Sequence, residues 1–122
     1  MHEKNDKKKI ILITGVSGGL GSALFNLLVK EDVHIIGVAR NIGRLEALKN
    51  SIVAKPSCSF ELISIDLKEI KSVKDLSEEI ITNWGRVNIL VHCAAISAPM
   101  SPSNVIFESN FKNVFFNNVL ST

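Results

Sequence analysis

Thr14-Gly15-Val16-Ser17-Gly18-Gly19-Leu20-Gly21-Ser22 follows an apolar run, Ile10 to Ile13, and opens a segment with helical spacing. A chain that leaves a strand, turns within a few residues and enters a helix beside an anionic ligand needs residues without a Cβ, both at the turn and at the contact. The amides that begin the helix then face the ligand, and the helix dipole favours its negative charge. The stretch therefore reads as a phosphate-binding elbow. A nucleoside-triphosphatase loop needs Gly and then Lys where Leu20 and Gly21 stand, which sets that reading aside. The plain alternative is an ordinary glycine-rich turn between a strand and a helix, and the rest of the chain weighs against it.

Working outward, apolar strand-like runs at residues 9–14, 33–40, 60–66 and 87–94 alternate with helix-period segments. Strands separated by helices imply an α/β domain with a parallel sheet and right-handed crossovers. The first helix is expected over 19–30, with Leu20, Ala23, Leu24, Leu27 and Leu28 packed on the sheet. The second, over 42–53, places Leu45 and Leu48 together. The third, over 70–84, carries Val73, Leu76, Ile80, Ile81 and Trp84 on one stripe; Ser72 and Asp75 resemble a capping box, and Gly85 suits a left-handed stop. Pro99 and Pro102, among Ser97, Ser101 and Ser103, mark a loop at the carboxyl end of the sheet, where open α/β sheets bind ligands.

The chain has 122 residues and a formal charge of +2, the size and balance of one globular domain with a real core. Much of the excess charge lies in Lys4, Lys7, Lys8 and Lys9, so residues 1–8 read as a solvated basic tail and residues 9–122 as the domain. No basic or aromatic face supports nucleic-acid binding. The apolar runs are too short for a bilayer span and the opening is no secretory signal, so a cytoplasmic location without membrane contact is expected. Cys58 and Cys93 have no metal-ligand spacing; they read as reduced, buried thiols, and no metal is expected.

Three residues beyond the glycines carry chemistry. Arg40 ends the second strand, where dinucleotide folds usually offer an acid to the adenosine ribose. A guanidinium there suits a 2′-phosphate, with charge-assisted hydrogen bonds worth roughly 1.5–3 kcal/mol, which is about ten- to a hundredfold in favour of NADP over NAD. The plain reading is a surface arginine. Asp66 closes the third strand, either reading a purine edge or capping a helix. Phe111, Val114, Phe115 and Val119 define the apolar face of a fourth helix, and Asn118 falls on it. A buried amide needs partners: backbone in the core, or a water or catalytic side chain that it holds.

Together these residues resemble the short-chain dehydrogenase/reductase family. Its non-extended branch carries Thr-Gly-x-x-x-Gly-x-Gly, matched by Thr14, Gly15, Gly19 and Gly21. Arg40 resembles the NADP-selecting arginine, Asp66-Leu67 the adenine-contacting pair, and residues 84–91 the approach to the fourth strand. The family then usually shows Asn-Asn-Ala-Gly, whereas this chain has His92-Cys93-Ala94-Ala95. Ala95 adds a Cβ where the backbone approaches the cofactor, and His92 replaces an asparagine that steadies the sheet. That element, with glycines at 15, 18 and 21, also suits the extended branch; the long third helix favours the non-extended one.

The resemblance implies the first half of a doubly wound Rossmann fold with strand order 3-2-1-4, from an NADP-preferring oxidoreductase acting on an alcohol or carbonyl. Gly15, Ser17, Gly19, Leu20 and Gly21 would cradle the pyrophosphate, Arg40 the 2′-phosphate, Asp66 and Leu67 the adenine, and Ala94 the ribose side. Asn118 stands for the asparagine of the catalytic tetrad. The family's serine, tyrosine and lysine lie downstream of this point, and the sequence contains no tyrosine. Removing that acid/base group forfeits at least about 10²- to 10⁴-fold in rate. The expectation is a cofactor-binding half without useful turnover alone, whose missing half was lost or comes from another chain; a non-catalytic dinucleotide binder and a degenerate fragment are the alternatives. Its fourth strand would be an uncharged edge at Ile89-Leu90-Val91, and Phe107, Phe111, Phe115 and Phe116 would lack cover, so self-association is expected.

Overall fold

A computed structural model describes residues 8–93. Their elements run β1 (Lys9–Thr14), α1 (Gly19–Leu28), β2 (Val33–Ala39), α2 (Ile42–Ser51), β3 (Ser59–Ser64), α3 (Ile70–Trp84) and β4 (Ile89–His92). The strands form one parallel sheet, as the alternation of strand and helix patterns implied, in the order β3-β2-β1-β4 that the resemblance implied. β1 and β2 hold the centre because they are nearly unbroken apolar runs, buried along almost their whole length. β3 and β4, on the flanks, are only half-buried.

Alternation along the strands splits the core in two. Ile11, Ile13, Val33 and Ile35 face α1 and α2, meeting Phe25, Val29, Leu45 and Leu48. Ile10, Leu12, Ile36 and Val38 face the other way and meet Val73, Leu76 and Ile80 of α3. The change of face follows from right-handed crossovers: the chain steps outward from β1 to β3 through α1 and α2, then returns past β1 to β4 through α3. All four strands therefore point their carboxyl ends the same way, toward the Gly15 elbow.

The buried face of α1 is not the one its leucines suggest. Leu20 and Leu27 are 56% and 64% exposed and Ala23 is exposed as well, while Gly21, Phe25 and Val29 are buried. The helix is pinned at Gly21 by close backbone contact, and positions four and eight residues further on inherit that face. Phe25 then meets Phe60 of β3 edge-on, with ring centroids 5.2 Å apart. Leu24 and Leu28 pack only at the margin of the core.

At the other helices, the Asn41 side chain accepts from the Arg44 amide and caps α2, with Leu45 and Leu48 buried together as their spacing implied. α3 ends at Gly85, whose φ of 79° lets its amide reach the Ile80 and Ile81 carbonyls. Its start differs from the capping box expected at Ser72 and Asp75. The N-cap is Glu69, and Ser72 Oγ donates to Glu69 Oε1, because the helix begins at Ile70 and Ser72 already lies within its first turn. Ile81, expected on the buried stripe, is 38% exposed.

A polar cluster sits at the amino ends of the strands, opposite the elbow. His34 is buried on β2; its Nδ1 lies 2.7 Å from Ser59 Oγ and its Nε2 3.0 Å from Glu61 Oε2. Trp84 stacks on the imidazole at 3.7 Å and donates Nε1–H to the same carboxylate oxygen at 3.2 Å. These bonds hold Glu61 below the usual carboxylate range, chiefly through His34, against the opposing effect of burial.

Candidate functional site

The elbow is closed by its own backbone. Gly15 leaves β1 at φ 69°, where a side chain is strained, and its amide and that of Val16 both bond to the Val38 carbonyl at 2.9 and 3.2 Å. Gly18 N–H returns to the Gly15 carbonyl at 3.1 Å, and α1 begins one residue later. A Cβ on Gly21 would lie 2.1 Å from the Gly15 oxygen, so this glycine lets helix and elbow touch. A Cβ on Gly19 would meet no neighbour within 4 Å among the described residues. Its absence leaves open space above the first turn of α1. Gly18 caps that turn without a side-chain bond and no acid lies in it, so among the described residues the amides of Gly19, Leu20 and Gly21 open the helix without a side-chain acceptor. Ser17 is half-buried in the elbow, and Leu20 projects from it.

Two residues that sequence reading passed over shape the elbow from below. Val16 is fully buried, and Gly37 on β2 makes room for it: a Cβ there would approach Leu62 Cδ2 at 2.8 Å and Val16 Cγ2 at 3.0 Å. The signal was a glycine inside an apolar strand run, which marks a close approach. Thr14, also fully buried, ends β1 with Oγ1 2.6 Å from His92 Nδ1, and its carbonyl accepts from Cys93 N–H at 3.0 Å. His92 thus ties β4 to the strand that feeds the elbow.

Arg40 lies one residue past the end of β2, not on the strand, and its side chain is exposed beside the elbow's end of the sheet. Among the described residues it makes no ion pair. Ser64 Oγ donates to its carbonyl at 3.0 Å. Asp66 does not close β3, which ends two residues earlier at Ser64; it sits in the following turn, where Oδ1 accepts from Lys68 N–H at 2.9 Å and its carbonyl from Glu69 N–H at 3.1 Å. Those bonds make it a turn-former, and the α3 N-cap is Glu69. Leu67 is buried in the core against α3. The elbow glycines, Arg40 and Asp66 therefore share one end of the sheet. Ala94 and Asn118 lie outside the described residues.

Both cysteines are free. Cys93 is buried, and burial pushes its thiol up; Cys58, expected buried as well, is half-buried because it lies in the loop leading to β3, and its thiol is pushed up for the same reason. No cluster of metal-ligating side chains occurs among the described residues, and no helix among them is long and apolar enough to cross a membrane.

A parallel 3-2-1-4 sheet with a glycine elbow after β1 defines a Rossmann-type nucleotide fold. The sequence pattern of the short chain dehydrogenase family matches residues 9–122, and the chain belongs to that family. The NADPH-dependent pterin aldehyde reductase of Arabidopsis thaliana is 33% identical over 111 residues, covering 91% of this chain and 45% of that protein. The 3-keto-steroid reductase/17-beta-hydroxysteroid dehydrogenase 7 of Homo sapiens is 30% identical over 112 residues, covering 89% of this chain and 31% of that protein. Among solved structures, L-sorbose reductase from Gluconobacter frateurii complexed with NADPH and L-sorbose superposes with a TM-score of 0.70 at 21% identity, over 93% of this chain and 48% of that one. That likeness shows the fold. The chain spans less than half the length of each.

Proposed function

We propose that this chain is the cofactor-binding half of an NADP-preferring oxidoreductase acting on an alcohol or carbonyl, with NAD the weaker cofactor. The observation that carries the reading is the contrast among the elbow glycines. Gly15 is required by its backbone angle and Gly21 by contact with Gly15, whereas no described residue outside the helix's own turn comes within 4 Å of where a Gly19 Cβ would stand. A pyrophosphate resting on the first turn of α1 is what that space accommodates. Ser17, Gly19, Leu20 and Gly21 hold it through backbone amides and the Ser17 hydroxyl, and Gly15, whose amide is committed to the Val38 carbonyl, contributes by turning the chain so that the backbone can approach it. Arg40, exposed and without an ion-pair partner among the described residues, takes the 2′-phosphate. Asp66 and Leu67 border the adenine, and Ala94 the ribose side. The cofactor, when bound, supplies hydride exchange with the substrate carbon. The relatives' names support this: one is NADPH-dependent, and the two reduce an aldehyde and a ketone.

What residues 1–122 do themselves is bind and orient. They include no tyrosine for the proton transfer that accompanies hydride transfer in this family, and Asn118 is the one tetrad member we assign. Turnover therefore requires a serine and a Tyr-x-x-x-Lys element from elsewhere, and without them the chain is a dinucleotide-binding module. Fluorescence titration of NADPH and NADH against wild type and Arg40→Ala tests the reading. NADPH should bind about ten- to a hundredfold tighter to the wild type, and the substitution should erase the difference. Equal affinity for the two cofactors before mutation overturns the arginine assignment.

A further inference from the structure

The 2′-phosphate reading leaves open what aims Arg40, because arginine is long, flexible and here exposed. Its backbone occupies a gap between two ordered ladders. The last sheet bond on the β3 side runs from Ile65 N–H to the Ala39 carbonyl at 2.9 Å, and the first bond of α2 runs from Leu45 N–H to the Asn41 carbonyl at 3.1 Å. Arg40 falls between them. The peptide that joins it to Asn41 has left β2, and its carbonyl is taken by the hydroxyl of Ser64 at 3.0 Å, reaching across from the last residue of β3. Ser64 stands opposite Ala39 in the register, so its side chain extends the ladder by one bond where backbone pairing has ended. On the far side, Asn41 Oδ1 holds the Arg44 amide at 3.0 Å, which fixes the start of α2.

We propose that Ser64 is a positioning residue for cofactor specificity: by holding the Arg40 carbonyl, it sets the direction in which the guanidinium leaves the sheet and so sharpens discrimination between NADPH and NADH. The proposal rests on the reading of Arg40 as the 2′-phosphate ligand. Ser64 lies on the strand beside β2 and acts through the arginine without touching the nucleotide. A single neutral hydrogen bond at an exposed site has a bounded effect, so its loss should weaken NADPH binding by roughly two- to tenfold. NADH affinity should not change, since NADH lacks the phosphate that the arginine reads.

The test is a double-mutant cycle on the 122-residue chain, with NADPH and NADH as the titrants and a circular dichroism melt on every variant. Ser64→Ala should lower the NADPH over NADH preference by the stated factor at unchanged melting temperature, and Ser64→Thr, which keeps the hydroxyl, should restore it. In an Arg40→Ala background, Ser64→Ala should have no further effect. Three outcomes separate the possibilities. If Arg40→Ala erases the preference but Ser64→Ala leaves it intact, the positioning role is overturned and the reading of Arg40 stands. If Ser64→Ala weakens NADPH equally in both backgrounds, Ser64 acts on the nucleotide itself and the proposal is again overturned. If Arg40→Ala changes nothing, or wild type binds neither cofactor, the arginine assignment fails first and the role of Ser64 falls with it.

Discussion

Gly21 and Gly19 stand two residues apart at the start of α1 and meet opposite surroundings. Any side chain at 21 must displace backbone, since its Cβ would sit 2.1 Å from the Gly15 oxygen and 2.9 Å from Val16 Cα. Gly21→Ala should therefore destabilise the fold by about 1–3 kcal/mol or more, read as a lowered melting temperature. At 19 the space is open, and Gly19→Val should leave the melting temperature within a few degrees while weakening NADPH binding at least about tenfold, because the isopropyl group fills the place proposed for the pyrophosphate. A Gly19→Val chain that binds NADPH like wild type would sink that placement. Both glycines are equally visible in the sequence; which serves packing and which serves a ligand depends on neighbours that the pattern does not name.

Among the elements, α3 is held to the sheet at its carboxyl end by more than its apolar stripe. Glu61 accepts from both His34 and Trp84, and these bonds keep its carboxyl below its ordinary value. A carboxylate depressed on folding contributes stability that is fully present above its unfolded-state pKa and lost as the pH falls through its folded-state value. The melting temperature should therefore drop on acidification below the usual glutamate range, and Glu61→Gln, which cannot ionise, should narrow the gap to wild type between about pH 6 and pH 3. A gap that stays constant over that range excludes Glu61 as the titrating group. The sequence marked Trp84 as part of the helix stripe but not His34 or Glu61, which lie on two strands and meet only once those strands pair in register.

In the whole molecule, β4 is the outermost strand of the described sheet on its side, and Ile89 is 42% exposed there. Leu20 and Leu27 add exposed apolar surface on α1. An uncharged strand edge and open leucines favour pairing with another copy. The 122-residue chain is expected to self-associate, and light scattering after size exclusion should report a mass above that of one chain. A single monomeric peak across the micromolar range counts against it. Addition of a chain bearing a Tyr-x-x-x-Lys element should compete with that association if the same edge receives it.

Periodicity and glycine spacing by themselves determined the parallel α/β architecture, the extent of β1 and α3, and the place of the elbow, while the order of the strands came with the family resemblance. These are local or nearly local properties: unbroken apolar runs, a 3.6-residue repeat, a residue without a Cβ, and the fixed hand of crossovers. Only the tertiary structure decided which face of α1 is buried, because the choice rests on a 2.1 Å approach between Gly21 and the Gly15 oxygen rather than on the helix's own leucines. It likewise decided that Asp66 makes a turn, that Val16 needs Gly37 beneath it, and that Ser64 holds Arg40. The last two depend on segments distant in sequence meeting at a particular register, and a distance between strands is not written along either one; the turn at Asp66 is local, closed by the amides of Lys68 and Glu69, and a strand end and a turn share the same residue types there.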